Sequence, residues 1–122
     1  MNTDMANICP QSSLSSAVSK IVYSLPVREG RSVILLSEED FPSIAFALQK
    51  TASLGYQLKF IPADTDTSDL DQWDQQMTAD VGLVLVTHVQ SNNGRQLPVQ
   101  QITDLARQKG ILSLVDVAQS VG

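Results

Sequence analysis

Val81-Gly82-Leu83-Val84-Leu85-Val86 carries no polar side chain at odd or at even positions. As a strand, whose successive side chains point to opposite faces, it can present neither face to water. A parallel sheet sandwiched between helices meets that condition, and three other runs can share it. Ser32-Val33-Ile34-Leu35-Leu36 is buried by the same argument, and Ile111 to Val115, within Gly110 to Gln119, reads as covered on both faces and is closed by Asp116. Tyr56 to Ile61 is less uniform, because Gln57 and Lys59 alternate with Leu58 and Phe60, the pattern of an edge strand with one face partly wet.

The segments between these runs have the helical period. Leu14, Ala17, Val18, Ile21, Val22 and Leu25 make one apolar stripe over about Ser12 to Leu25, and Pro26 stops it. Pro42 opens a second helix that runs through Ile44, Ala47, Leu48 and Ala52 to Gly55. Leu70, Trp73 and Met77 share one face of a third, behind an acidic start that suits the positive end of its dipole. Pro98 opens a fourth, with Val99, Ile102, Leu105 and Ala106 inward and Gly110 past its end. Strands alternating with helices through right-handed crossovers predict an α/β fold, a three-layer doubly wound parallel sheet of about four strands in the order 2-1-3-4. Residues 1–122 are one domain at most.

Composition removes several function classes. A formal net charge of −5, with eight scattered lysines and arginines, gives no basic stripe for nucleic acid. The single cysteine, Cys9, cannot form an internal disulfide and fits a reducing, cytoplasmic compartment. No apolar run approaches the ~18 residues of a membrane span, and the polar start is not a secretory signal. His88 is the only histidine and reads as a hydrogen-bonded strand-end residue, not a metal ligand. The acidic stretch from Asp64 to Asp69 fails as a calcium loop, since Asp69 stands where glycine is needed and Gln75 where glutamate is. No metal site is predicted.

In the order 2-1-3-4 the winding reverses between strands 1 and 3, and ligands of such sheets bind in the crevice beyond the carboxyl ends of the strands there. The loops after Leu36, Val86 and Val115 open on that edge, and the leading helix reaches it with its amino end. Asp116 at a strand end either serves a ligand or caps the following turn. Gln11, Ser12 and Ser13 lie where helix dipole and free N–H groups favour an anion, although serines there also serve as simple caps. Phe41 either stacks on a planar ligand or staples the start of its helix to the core.

Leu114-Val115-Asp116-Val117-Ala118-Gln119-Ser120-Val121, preceded by Thr87-His88-Val89 with Gly94 and Pro98, resembles the fold-type I pyridoxal-phosphate enzymes of the class V aminotransferase group, which includes cysteine desulfurases and kynureninases. The likeness spans about Asn7 to Gly122, and the Asp-x-Ala-Gln ending is its most specific part. It implies pyridoxal phosphate as cofactor of the parent enzyme, bound weakly or not at all by this part alone, with Asp116 on the pyridinium nitrogen and Gln119 near the ring hydroxyl. Phe41, in Asp40-Phe41-Pro42-Ser43, matches the stacking aromatic of kynureninases, and Gln11, Ser12 and Ser13 fall where the family holds the cofactor phosphate. Ser91 stands where the family loop commonly carries asparagine, with Asn92 beside it.

The family's Schiff-base lysine lies on the strand after the aspartate, and Lys20, Lys50, Lys59 and Lys109 all fall away from the expected mouth. The resemblance therefore implies a partial large domain of a pyridoxal-phosphate enzyme, truncated before that lysine and inactive alone. Its parent acts on an amino-acid substrate by transamination, desulfuration or Cβ cleavage. The strand ending in Asp116 is then an apolar edge that pairs with another copy or a partner, making a homo-oligomer. The reading from another class is a small non-catalytic doubly wound module for regulation or interaction.

Overall fold

A computed structural model describes residues 3–121; Gly122, where the resemblance ends, lies outside the described residues. Four parallel strands, β1 (Val33–Ser37), β2 (Gln57–Ile61), β3 (Val81–Thr87) and β4 (Leu112–Asp116), form one sheet in the order β2-β1-β3-β4. Helices α1 (Leu14–Ser24) and α2 (Pro42–Gln49) cover one face, and α3 (Leu70–Gln76) and α4 (Val99–Gln108) the other. This is the three-layer doubly wound arrangement, in the strand order that the apolar runs predict.

Burial follows from side-chain alternation along the two inner strands. Ile34 and Leu36 of β1, with Leu83 and Leu85 of β3, pack on Val18, Val22, Ile44 and Leu48. Val33 and Leu35, with Val84 and Val86, pack on Trp73, Met77, Ile102 and Ala106. Every residue of β1 and β3 is buried. Gly82 is required where β1 and β3 shift register between Val33 and Ile34, since a Cβ there would lie 2.3 Å from the Arg31 carbonyl oxygen. At this amino edge, Arg28 and Arg31 donate to the carbonyls of Gly110 and Lys109 at 3.0 Å, satisfying orphan acceptors at the end of α4.

Two elements differ from their sequence pattern. The second helix ends as α at Gln49 and continues as a 3₁₀ turn, Lys50–Leu54, before Gly55 turns left-handed at φ +93°. Thr51, fully buried, bonds back to the Leu48 carbonyl at 2.6 Å, a contact that competes with the α-helical ladder. The fourth strand is not covered on both faces: among the described residues β4 is the sheet edge, and Leu112 is 47% exposed. Within β4 only Asp116 is buried, with Ile111 just ahead of the strand, because α4 packs beside it while its free edge has no neighbour among the described residues.

Candidate functional site

The carboxyl edge of the sheet carries a cavity of about 230 Å³ lined by Ser13, Leu14, Ser15, Phe41, Ser43, Thr87, Ser91, Asp116, Ala118 and Gln119. Four separate parts of the chain meet there: the amino end of α1 and the segments that follow β1, β3 and β4. Five of the sequence candidates, Ser13, Phe41, Ser91, Asp116 and Gln119, line it. Ser12 is exposed just ahead of α1 and outside this lining, and Gln11 borders an adjacent cavity with Cys9 and Lys20. The Gln11 side chain accepts from Lys20 Nζ at 2.7 Å and donates to Cys9 Sγ at 3.0 Å, so it is held toward the outer face of α1. Asn92 is exposed and also outside the lining, while Asn93 turns to Glu39.

Ser13 is the N-cap of α1, its hydroxyl accepting from the Ser16 amide at 3.1 Å. The first turn of α1, whose free amides carry the positive end of the dipole, lines the cavity through Leu14 and Ser15 beside Ser43, and the Ser15 hydroxyl donates to the Ser43 carbonyl at 3.5 Å. No lysine or arginine is among the lining residues, so an anion here meets neutral donors and a helix dipole, not a cation. Phe41 precedes α2 with its ring 51% exposed, and Pro42 takes the first helical position.

Asp116 ends β4 opposite Thr87 and is 8% exposed. Its Oδ1 accepts from the Ala118 amide at 2.9 Å, while Oδ2 has no hydrogen-bond partner among the described residues. The carboxylate thus both caps the next turn and borders the cavity. His88 holds the same turn from outside, with its backbone N–H on the Asp116 carbonyl at 2.8 Å and Nδ1 at 2.8 Å from Ser120 Oγ. Gln96 Nε2 lies 3.1 Å from His88 Nε2, so both ring nitrogens have a polar partner.

Of the residues that spacing did not single out, Thr87 lines the cavity, and Asp40 and Gln90 lie outside the lining. Asp40, 6% exposed, accepts from the Ser37 amide at 2.8 Å and from Gln90 Nε2 at 3.5 Å. Burial pushes its carboxyl above the usual carboxylate range; contacts with Thr87, Ser37 and Gln90 oppose that shift, and the charge of Asp116 adds slightly to it. Thr87 Oγ1 is buried without a hydrogen bond of good geometry, so we take its effect on Asp40 as that of a nearby dipole. A buried hydroxyl on a cavity wall with unused capacity is a place where a ligand atom fits. The only sequence signals for these groups are an acid in the turn after an apolar strand and a hydroxyl at the end of another.

The family model for class-V aminotransferases matches residues 5–122. The chain is 36% identical to a kynureninase of Deinococcus radiodurans over 93 residues, which are 76% of this chain and 22% of that protein. It is 27% identical to the cysteine desulfurase NifS of Azotobacter vinelandii over 103 residues, 84% of this chain and 26% of that one. Among solved structures, a mutant of C-DES with glycine covalently linked to the PLP cofactor superposes with a TM-score of 0.78 at 22% identity, covering 88% of this chain and 30% of that one. The chain therefore spans about a quarter of the length of these curated relatives.

Proposed function

Because the chain belongs to the class-V aminotransferase family, we propose that its carboxyl-edge cavity is one wall of a pyridoxal-phosphate seat in an enzyme that acts on an amino-acid substrate. The observation that carries this reading is the meeting of Asp116, Phe41, Gln119 and the amino end of α1 around a single cavity. The donor set suits the group: a carboxylate for a ring nitrogen, an exposed aromatic face, an unused threonine hydroxyl, and serine hydroxyls with helix amides for a phosphate. The cavity, at about 230 Å³, is smaller than the ~300–1,000 Å³ of complete small-molecule sites, as one wall of a seat would be.

Pyridoxal phosphate, when bound, supplies an electron sink for the carbanion of an amino acid. In this chain, Asp116 Oδ2 is the atom placed to keep a ring nitrogen protonated, and its negative charge makes that protonation favourable. Phe41 gives a flat surface that excludes water from one ring face. Ser13, Ser15 and Ser43 would hold the phosphate, Gln119 and Thr87 would offer hydrogen bonds at the ring edge, and Ser91 would close the opposite side. Gln11 and Ser12 enter this proposal only as supports of the α1 amino end, not as contacts.

The amine that anchors the cofactor is not among the described lysines: Lys20 is on Gln11, Lys59 on the Gln76 carbonyl, Lys109 on Asp74, and Lys50 lines an outer groove between α1 and α2. We assign the chain to part of a cofactor domain whose β4 edge accepts a further strand, supplied in the isolated chain by a second copy. Sedimentation over a range of concentrations tests this; a monomer throughout counts against it.

One observation favours the alternative of a non-catalytic module, namely the Asp116 hydrogen bond that caps Ala118. Asp116→Asn separates the two, since asparagine keeps the capping oxygen and loses the charge. Equilibrium dialysis and visible circular dichroism with pyridoxal phosphate should show at least tenfold weaker binding for the variant with unchanged folding, a loss in line with one charge-assisted contact. Equal binding by both proteins, or none by the wild type at millimolar cofactor, overturns the cofactor reading.

A further inference from the structure

The acidic run Glu38-Glu39-Asp40 stands in the turn between β1 and Phe41, and each carboxylate reaches a different partner. Glu38 Oε2 accepts from the Ala63 amide, beyond β2, at 3.0 Å. Glu39 Oε1 accepts from Asn93 Nδ2 at 3.1 Å, and its Oε2 lies 3.6 Å from Arg95. Asp40 takes the Ser37 amide on one oxygen and Gln90 Nε2 on the other. Phe41 follows at once, with no side-chain cap of its own at the start of α2. The position of its ring is thus set by the turn behind it.

These three contacts differ in weight. The Glu38 contact lies toward solvent, where charges are screened and contribute little, and the Glu39 side chain, 11% exposed, meets partners that are themselves open to water, Asn93 and the 39%-exposed Arg95. Asp40 and Gln90 are 6% and 1% exposed, and in such surroundings a polar atom without a partner is costly. Gln90 immediately precedes Ser91 in the loop after β3. Asp40 therefore joins two walls of the cavity that are 50 residues apart in sequence.

Resting on the cofactor reading, we propose that Asp40 is a positioning residue for the seat: through Gln90 it couples the turn carrying Phe41 to the loop carrying Ser91, so that the aromatic face and the wall opposite move as one body. Nothing in this role requires Asp40 to touch the cofactor, and it does not line the cavity. Gln90 Oε1 is buried without a partner. An asparagine at 40 would take the Ser37 N–H on its oxygen and, with the Gln90 amide turned over so that Oε1 replaces Nε2, donate its NH₂ to Gln90.

The test uses the whole chain with Asp40→Ala, Asp40→Asn and Gln90→Ala. Amide hydrogen exchange without cofactor should show residues 38–44 and 88–95 losing protection together, by about tenfold, in both alanine variants, as expected for one lost hydrogen bond to a charged group. Asp40→Asn should retain most of that protection, which loss of packing alone would not restore. Binding of pyridoxal phosphate should weaken by about tenfold in Asp40→Ala, with a smaller visible dichroism at saturation, and recover in Asp40→Asn.

Loosening of residues 38–44 while 88–95 stays protected overturns the coupling, and so does an asparagine variant that behaves like alanine. Coupled loosening with unchanged cofactor affinity overturns the positioning role. Should Asp40→Ala not fold, Gln90→Ala decides the same question. A wild-type chain that does not bind the cofactor sinks the functional reading, and the exchange comparison still decides the coupling.

Discussion

Two carboxylates at the carboxyl edge of the sheet have different partners. Asp116, at the end of β4, lines the cavity and has one oxygen on the Ala118 amide, whereas both oxygens of Asp40, in the turn after β1, face protein groups. Burial is the largest influence on Asp40 and raises its pKa above 3.8, the ordinary value. The sign of the linkage follows. A folded state that binds this proton more tightly than the unfolded chain loses stability as pH climbs from about 3.8 through the raised value, and the cost is complete above it. Asp40→Asn cannot titrate. Urea unfolding of wild type and variant from pH 3 to 8 should therefore give a difference that moves in favour of asparagine as pH rises through that window and is flat above it. A difference that moves the other way would mean that hydrogen bonds, not burial, dominate this carboxyl. The constant offset between the curves reports the exchanged hydrogen bonds, so the two effects separate within one experiment.

At the scale of elements, legibility in the sequence depends on how local the cause is. β1 and β3 are apolar on both faces, and that alone places them inside the sheet. α1 is written in its stripe, its serine cap and Pro26, and Phe41 and Asp116 follow from their places after strands in a doubly wound order, while Gln119 rests on the family resemblance. The exposure of β4 was not legible in its own run, which states what it could bury but not whether a neighbour is there to bury it; only the family resemblance made it an edge. The early end of α2 depends on one threonine bonding back to its own helix. The orientation of Gln11 depends on Lys20 on the next turns of chain. Least legible was the acidic run before Phe41, which reads as a solvated charge cluster. Its partners lie 25, 50 and 54 residues away, and no periodicity carries that information.

The whole molecule is two cores that share one sheet. Ile34 and Leu36 point into the α1/α2 layer while Val33 and Leu35 point into the α3/α4 layer, so β1 is a wall of both. Neither layer can open without stripping β1 from the other, and a single cooperative transition follows. The cavity at the carboxyl edge takes residues from several elements, since Thr87 ends β3 and Ser91 follows it, while Ser13 caps α1 and Ser43 belongs to α2. Its geometry is then only as stable as the sheet. Ile34→Ala removes fully buried atoms on the α1/α2 side and should cost about 2–5 kcal/mol. Against the ~5–15 kcal/mol that holds a domain folded, that is a large share, so Ile34→Val, at about 0.5–1.5 kcal/mol, is the companion variant. Trp73 is fully buried in the opposite layer, with Nε1 on the Thr67 carbonyl at 2.9 Å, and its fluorescence reports that side alone. Its midpoint should fall in step with far-ultraviolet circular dichroism in both variants. If the Trp73 transition stayed in place while the dichroism shifted, the layers would be separable, and the site would rest on loops of two independent bodies.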